Sequence, residues 1–528
     1  MAKPKLEHLL SHGLLPRELP RCFTSRGYAA IATQVQAPPH RRGGRAAVRH
    51  SIGRPGDLRR LLSIPHPLSH LETSREITAI WKEIKKHCDK SNMSLSRLAL
   101  NHDGRAIAPR TSFGTLAHHR TSHRRLGRYA LQADVSQFYN SIYTHSISWA
   151  LASRHQAKAA IRTPRRSKPL IGDRLDKAIR DGQEQQTIGI PTGPDTSLVV
   201  AEIILTAVDV ELQRRLSLPP GGAFRFMDDF EIIFSTRADA EDALGVLEAE
   251  LYRYQLTLNQ SKTNILELPH ILEESWRTIL HQFRIRTDSD TKFSNDLISF
   301  FSFAFALRVA HPTKAVLTYA IQKAGRLPLS KITWPTYLDL AAAAVQSEPS
   351  ALGKFCSIVE DGVRQGSLQD LEVVEAVMNA IIVSHAPREH GLEVCWSLWT
   401  LAVLGLSLDE LAESKAGEMS DNACLILLMH LQELRSSTAS SQPALPYELE
   451  SKEELPHSEN WLLAYECTRH GWIRSKAIRS DPFFRQLLDA DVTFFEGASM
   501  TLTLPPPSPI GHDKSARPAA GGGATSGY

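Results

Sequence analysis

Two regimes of hydrophobic spacing divide this chain, and they change over near residue 290. Between 128 and 270, short apolar runs alternate with longer segments of helical period. Residues 129–135 read as a strand, and 146–155 and 196–216 as helices, the second with Leu198, Val199, Ile203, Leu205 and Val208 on its apolar side. Residues 224–234 read as a hairpin, 239–254 as a helix and 263–268 as a final strand. Strands separated by helices in this order predict an α+β unit. Beyond 290 the strand signal fades, and 297–309, 314–324, 337–345, 371–383, 392–404 and 424–434 all carry apolar residues at helical spacing. No fixed repeat length emerges from them. Residues 436–456, rich in Ser, Pro and Glu, read as a linker or long loop. A last helical block holds Trp461, Leu462, Leu463, Tyr465 and Trp472, and the Pro/Gly/Ser tail from Pro505 is expected to be disordered. The first ~130 residues mix short apolar runs with Arg, Gly and Pro, as expected of helices and irregular strands at a surface that handles something anionic.

Length adds that one core is too few: 528 residues imply two to four folded units. With 42% hydrophobic and 22% charged residues, the composition is that of a soluble globular protein. The net charge of +4 is too small to prove a nucleic-acid partner, so position matters more. Positive residues cluster at Arg41, Arg42, Arg45, Arg49, Arg54, Arg59 and Arg60, at Arg120, Arg124, Arg125 and Arg128, and at Arg162, Arg165, Arg166 and Lys168. Each cluster alone reads about equally as a solvated surface or disordered arm and as phosphate contact, and the second cluster gains weight from the motifs that follow it. Six cysteines without a CxxC pair argue against a disulfide framework or zinc ribbon and fit a reducing cytoplasm. The N-terminus lacks the unbroken apolar run of a signal peptide. The most apolar later stretch, 297–310, is shorter than the ~20 residues that span a bilayer, so no membrane partner is expected.

The candidate chemistry sits in AFRFMDDFEIIF, residues 223–234, where Asp228 and Asp229 interrupt alternating apolar residues. Adjacent carboxylates at a hairpin tip repel, and a fold that holds them there normally binds a cation. A third acid should lie nearby, and Asp134, at the end of the apolar strand YALQAD, is the best candidate. Two-metal phosphoryl transfer needs carboxylates on adjacent strand ends, and hard oxygen ligands select Mg²⁺, with Mn²⁺ the alternative. A lone Asp-Asp turn, however, is more often surface turn chemistry.

The flanking residues change those odds. Phe226-Met227-Asp228-Asp229 resembles motif C of reverse transcriptases, Tyr-x-Asp-Asp, with Phe for Tyr. DVSQFYNSIYTHSISWAL, 134–151, resembles motif A; the resemblance implies metal ligation by Asp134 and the Val135 carbonyl, nucleotide contact at Phe138 and Tyr139, and a steric gate at Tyr139. A bulky ring under the sugar collides with a 2′-hydroxyl, so dNTPs are expected to be preferred. QTIGIPTGPDTS, 186–197, resembles motif B, with Pro191, Thr192 and Gly193 at the nucleotide; Thr192 stands where many members have Gln. Gly193 has no side chain to obstruct close approach to a base pair. LNQSKTNIL, 258–266, resembles motif D, which implies Lys262 near the leaving pyrophosphate. GRPGDLRRLLSIPHPLSHLE, 53–72, resembles the fingers entry, with Arg59 or Arg60 as phosphate contacts.

The implied architecture is an α+β reverse-transcriptase fold followed by an all-α helical-repeat domain: fingers and N-terminal region at 1–127, palm at 128–285, helical domain at 286–500, tail at 501–528. SIYTHSISWAL and QTIGIPTGPDTSLVVAEIIL are similar to the bacterial abortive-infection and defence-associated reverse transcriptases. That resemblance implies RNA-directed DNA synthesis in phage defence in bacterial cytoplasm, with some relatives working without a template and priming on a protein hydroxyl. Expected partners are dNTPs and RNA or DNA; DNA covalently joined to the protein and self-association through the helical half stay open. Two alternatives stay open as well, an RNA-synthesising palm enzyme and a non-catalytic nucleic-acid-binding scaffold. Neither HExxH, GxSxG nor a P-loop is present.

Overall fold

The computed structural model describes residues 3–36, 43–56, 58–101, 104–152, 155–156, 159, 170–218, 221–436 and 452–497. The basic cluster at 162–168, Arg41, Arg42, most of the 436–456 segment and the tail from Pro505 lie outside the described residues.

A four-stranded antiparallel sheet of β5 (Tyr129–Asp134), β6 (Ala223–Phe226), β7 (Asp229–Phe234) and β8 (Asn264–Glu267) stands in the order β6-β7-β5-β8. Strand faces alternate with a period of two. Leu131, Ala133, Phe230 and Ile232 therefore share one face, and all are buried in the palm core. Gln132, Asp134, Asp229 and Glu231 share the other. Beneath the core face runs the helix Asp195–Arg215, apolar nearly all round, as a central helix must be. The helix Arg237–Arg253 completes the layer, capped by the Thr236 side chain, which accepts the Asp239 N–H.

β1 (Val48–Arg54) and β2 (Leu58–Ile64) form a separate hairpin in continuous register, with Ile52 opposite Arg60 and Arg54 opposite Leu58. A third pair, β3 (Leu98–Leu100) with β4 (Ile107–Pro109), lies between the hairpin and the sheet in sequence.

From Asp290 onward the described chain is helical, each helix packing on the next one or two in sequence. All six expected helices form, mostly longer than their periodicity suggested. Two further helices, Leu352–Arg364 and Glu410–Gly417, form between them, the first with Leu352, Phe355, Cys356 and Val359 buried at helical spacing. The first contains Gly353 and Gly362, because a Cβ at 362 would lie 2.3 Å from the Trp334 ring and one at 353 would lie 3.0 Å from the Trp396 ring. The 297–310 apolar stretch begins earlier than expected. It is a 21-residue helix, Asp290–Ala310, long and apolar enough to cross a membrane by length and composition alone. Its Phe293, Leu297, Phe300, Phe301 and Ala304 are buried in the helical core.

Cores do not follow the expected boundaries at 127 and 285. Residues from Leu10 to Leu71 pack into the helical core rather than the palm, with Tyr28 against Phe483 and Phe494. Phe23 forms a bridge with Phe495, and the Glu496 N–H donates to the Cys22 carbonyl at 2.8 Å. Trp276 and Leu280, expected in the palm, belong to the same helical core.

Candidate active site

Strand register brings the candidate carboxylates together. Asp134 and Asp229 are directly opposite in the β5–β7 ladder, on one face. Cβ atoms of such a pair lie roughly 4.5–5.5 Å apart. Asp228 occupies the two-residue turn between β6 and β7, whose first residue, Met227, is left-handed at φ +56°. A left-handed residue there gives the primed turn that matches the twist of the strands.

Charge on this face is handled in two different ways. Glu231, two residues along β7, accepts from Arg124 at 2.7 Å, from Arg120 at 3.1 Å and from Gln132 at 2.8 Å, and these partners hold its carboxyl below the usual range despite burial. Arg120 and Arg124 are therefore internal counter-ions, which corrects their reading as phosphate contacts. By contrast, among the described residues one cation contacts the three aspartates, and only at Asp134: Lys262 Nζ donates to Asp134 Oδ2 at 2.8 Å, beside Asn259 Nδ2 on Oδ1 at 3.2 Å. Burial raises the Asp228 carboxyl above its ordinary value, and the charge of Asp134 adds to this. Asp229 is pushed up to about 7, first by desolvation and then by Asp228 and Asp134, although its side chain stays open to solvent. Three hard oxygen donors that repel one another fit a divalent cation of the Mg²⁺ class.

A fully buried arginine fixes the turn. Arg225 on β6 donates to Asp209 at 2.8 Å and to Glu202 at 3.1 Å, and its Nη1 donates to the Met227 carbonyl at 2.8 Å. Burial would lower the guanidinium pKa, but the two carboxylates outweigh it and hold it above the ordinary range. Ser94 and Ser91 satisfy Glu202 and Asp209 at 2.5 and 2.6 Å, and the Met227 N–H donates to Ser96 Oγ at 2.5 Å. Sequence reasoning missed this network, because Arg, Glu and Asp spaced along a helix and strand look like solvated positions.

The remaining expected residues divide. Tyr139 is half-buried beside the cluster, and burial together with the Asp228 charge raises its phenol. Phe138 is 4% exposed in the palm core, so its side chain packs and does not face a nucleotide. Val135 is 1% exposed, which leaves only its backbone for ligation. In the 186–197 loop the carbonyls are already used: Pro191 accepts from Ser197, Thr192 from the Ser63 N–H at 2.8 Å, and Gly193 from Arg105 at 2.5 Å. Gly193, at φ +131°, makes a close approach, but to Pro16 of the N-terminal segment rather than to open space.

Arg59 is also corrected: it is held by Ser51 and by both oxygens of Glu393 in the helical array. Arg60 is exposed and acts electrostatically on Asp228. Arg54, which feels Asp134 and Asp228, joins it at the cluster. Alternation along the hairpin could have separated Arg59 from Arg60, since neighbours on a strand point to opposite faces.

Residues 67–293 match the family described as reverse transcriptase (RNA-dependent DNA polymerase). The chain thus carries a polymerase domain of the nucleotidyltransferase class. That domain is an RNA-directed DNA polymerase, and such enzymes use divalent metal ions, typically Mg²⁺. β1, β2 and most of the helical array lie outside the matched residues. Among solved structures, the chain is similar to apo telomerase from Candida tropicalis at 10% identity and TM-score 0.33, covering 79% of this chain and 70% of that one. It is also similar to telomerase from Candida albicans in complex with a fragment of telomeric RNA, at 11% identity and TM-score 0.29, covering 78% of this chain and 66% of that one. No curated protein matches the chain.

Proposed function

We propose that Asp134, Asp228 and Asp229 are the catalytic carboxylates of a DNA-synthesising enzyme of the abortive-infection and defence-associated reverse-transcriptase type. The observation that carries this is the register pair Asp134–Asp229 with Asp228 at the adjoining turn, left without the arginine clamps that neutralise Glu231. When bound, Mg²⁺ or Mn²⁺ on these carboxylates supplies charge neutralisation at the attacking 3′ oxygen and the leaving pyrophosphate. Arg225 holds the turn so that the Asp228 and Asp229 oxygens stay presented. Arg60 and Arg54 place positive charge where a triphosphate would lie. Lys262, hydrogen-bonded to Asp134, is within the cluster and can neutralise developing negative charge. The Tyr139 ring beside the carboxylates favours dNTPs over rNTPs.

The finer reading is defence against phage in bacterial cytoplasm, with synthesis that is protein-primed and in part template-independent. Its support is the strings at 141–151 and 186–205 together with a helical array following the palm, read as a helical-repeat domain. The array also offers surface for self-association.

Incubating full-length protein with dNTPs and Mg²⁺, with and without RNA, tests the polymerase reading. Wild type should make DNA in at least one condition, and Asp228→Ala and Asp229→Ala should each lose at least ~100-fold. Undiminished synthesis by either variant ends the assignment. Protease treatment should release DNA from a protein adduct; a free 5′ end would contradict protein priming alone.

A further inference from the structure

The β1–β2 hairpin and the helical array line a cavity of about 390 Å³. Its charged lining comes from Arg54 and Arg59 on the hairpin and from His385, Arg388, His390 and Glu393 on the array. Glu393 is its single acid, and Arg59 holds both of that acid's oxygens, one of them at 3.0 Å. Arg59 and Glu393 therefore cancel. What remains is cationic: Arg54 and Arg388 are exposed, and neither side chain has a hydrogen-bond or ion-pair partner among the described residues. The His385 and His390 Nδ1 atoms lie 2.8 Å apart, a separation that makes one ring donor to the other.

His385, His390 and Glu393 also have the spacing of a metal site, their ligand atoms falling within 4.8 Å of one another. Charge argues against a cation there. Both Glu393 oxygens are occupied, the two imidazole nitrogens face each other, and Arg59 and Arg388 act on both rings with repulsion toward added positive charge. An anion meets the opposite situation. Guanidinium forks match phosphate geometry, and the volume is within the range of ligand-binding cavities.

We propose that this cavity is a phosphate-binding site at the junction of hairpin and helical array, occupied by a backbone phosphate of a nucleic-acid strand or by a phosphate of a free nucleotide. Its location favours the strand, since Arg54 lines the cavity and also feels the charges of Asp134 and Asp228. The identity of the anion rests on the polymerase reading. The test reads binding without turnover, so either idea can fail alone.

Full-length wild type, Arg388→Glu, Arg388→Lys and His385→Ala are compared by fluorescence anisotropy with a labelled single-stranded oligonucleotide over a range of salt, and by calorimetric titration with dATP. Thermal unfolding checks that each variant is folded. Arg388→Glu should weaken oligonucleotide binding about tenfold and reduce the salt slope by about one, with Arg388→Lys close to wild type. An effect confined to dATP assigns the phosphate to the free nucleotide and still supports the site. Unchanged binding of both ligands by Arg388→Glu and His385→Ala overturns the proposal. So does stoichiometric Zn²⁺ binding that His385→Ala abolishes while both anions bind as before.

Discussion

Arg225 is the residue on which the presentation of the Asp228–Asp229 turn depends most directly. Arg225→Met would leave Glu202 and Asp209 buried without a counter-charge, a loss of about 3–5 kcal/mol that chemical denaturation would measure. Replacing all three by apolar residues should recover much of that stability, but not polymerisation, because nothing then holds the Met227 carbonyl. Tyr139 makes the opposite kind of prediction. Tyr139→Ala should leave the fold intact and raise the ratio of rNTP to dNTP incorporation at least tenfold, read by steady-state kinetics with each nucleotide. An unchanged ratio would remove the gate role. These two side chains also show what can be read from sequence. Tyr139 was legible because it stands five residues after an acidic strand end. Arg225 was not, since its value depends on partners that lie 16 and 23 residues earlier in sequence and are joined to it only by folding.

At the scale of elements, the β1–β2 hairpin is bound to the helical array through the Arg59–Glu393 ion pair and the buried hydrogen bond between His50 and Asp421 at 2.8 Å. Burial alone would push the Asp421 carboxyl up, but the charge and hydrogen bond of His50 outweigh it and hold it below the ordinary 3.8. A depressed carboxyl contributes stability above its unfolded pKa and loses it as pH falls through the folded one. The stability difference between wild type and Asp421→Asn should therefore shrink as pH falls below about 4. A gap that widens in acid would contradict this pairing. Strongly periodic elements were the legible ones: the palm strands and the long central helix were predicted within a residue or two. Docking of the hairpin was not, because seven clustered arginines look alike in sequence. One is buried against Glu72, one clamps Glu393, and Arg49, Arg54 and Arg60 face solvent.

Over the whole molecule, the palm core and the helical core are separate, and the N-terminal residues belong to the second. Expressing 67–293 alone should accordingly give an aggregation-prone protein. That piece omits the β1–β2 hairpin and strips Leu68, Leu71, Trp276 and Leu280 of their partners. Size-exclusion chromatography would check this, and a soluble monomer active on dNTPs would refute it. Removing residues from 482 onward should be equally damaging, since Phe483, Phe494 and Phe495 cover Tyr28 and Phe23. The expected result is a lower unfolding temperature and loss of DNA synthesis, although no carboxylate is touched.

Contact between Phe23 and Phe495 also sets an order of events on the ribosome. At ~5–20 residues per second, the first helices emerge on the order of a minute before their partner is translated. They must wait with apolar faces uncovered, in the reach of chaperones. An aborted or truncated translation product would carry the Asp228–Asp229 turn without the closure that stabilises its surroundings, so polymerising activity becomes a property of finished chains.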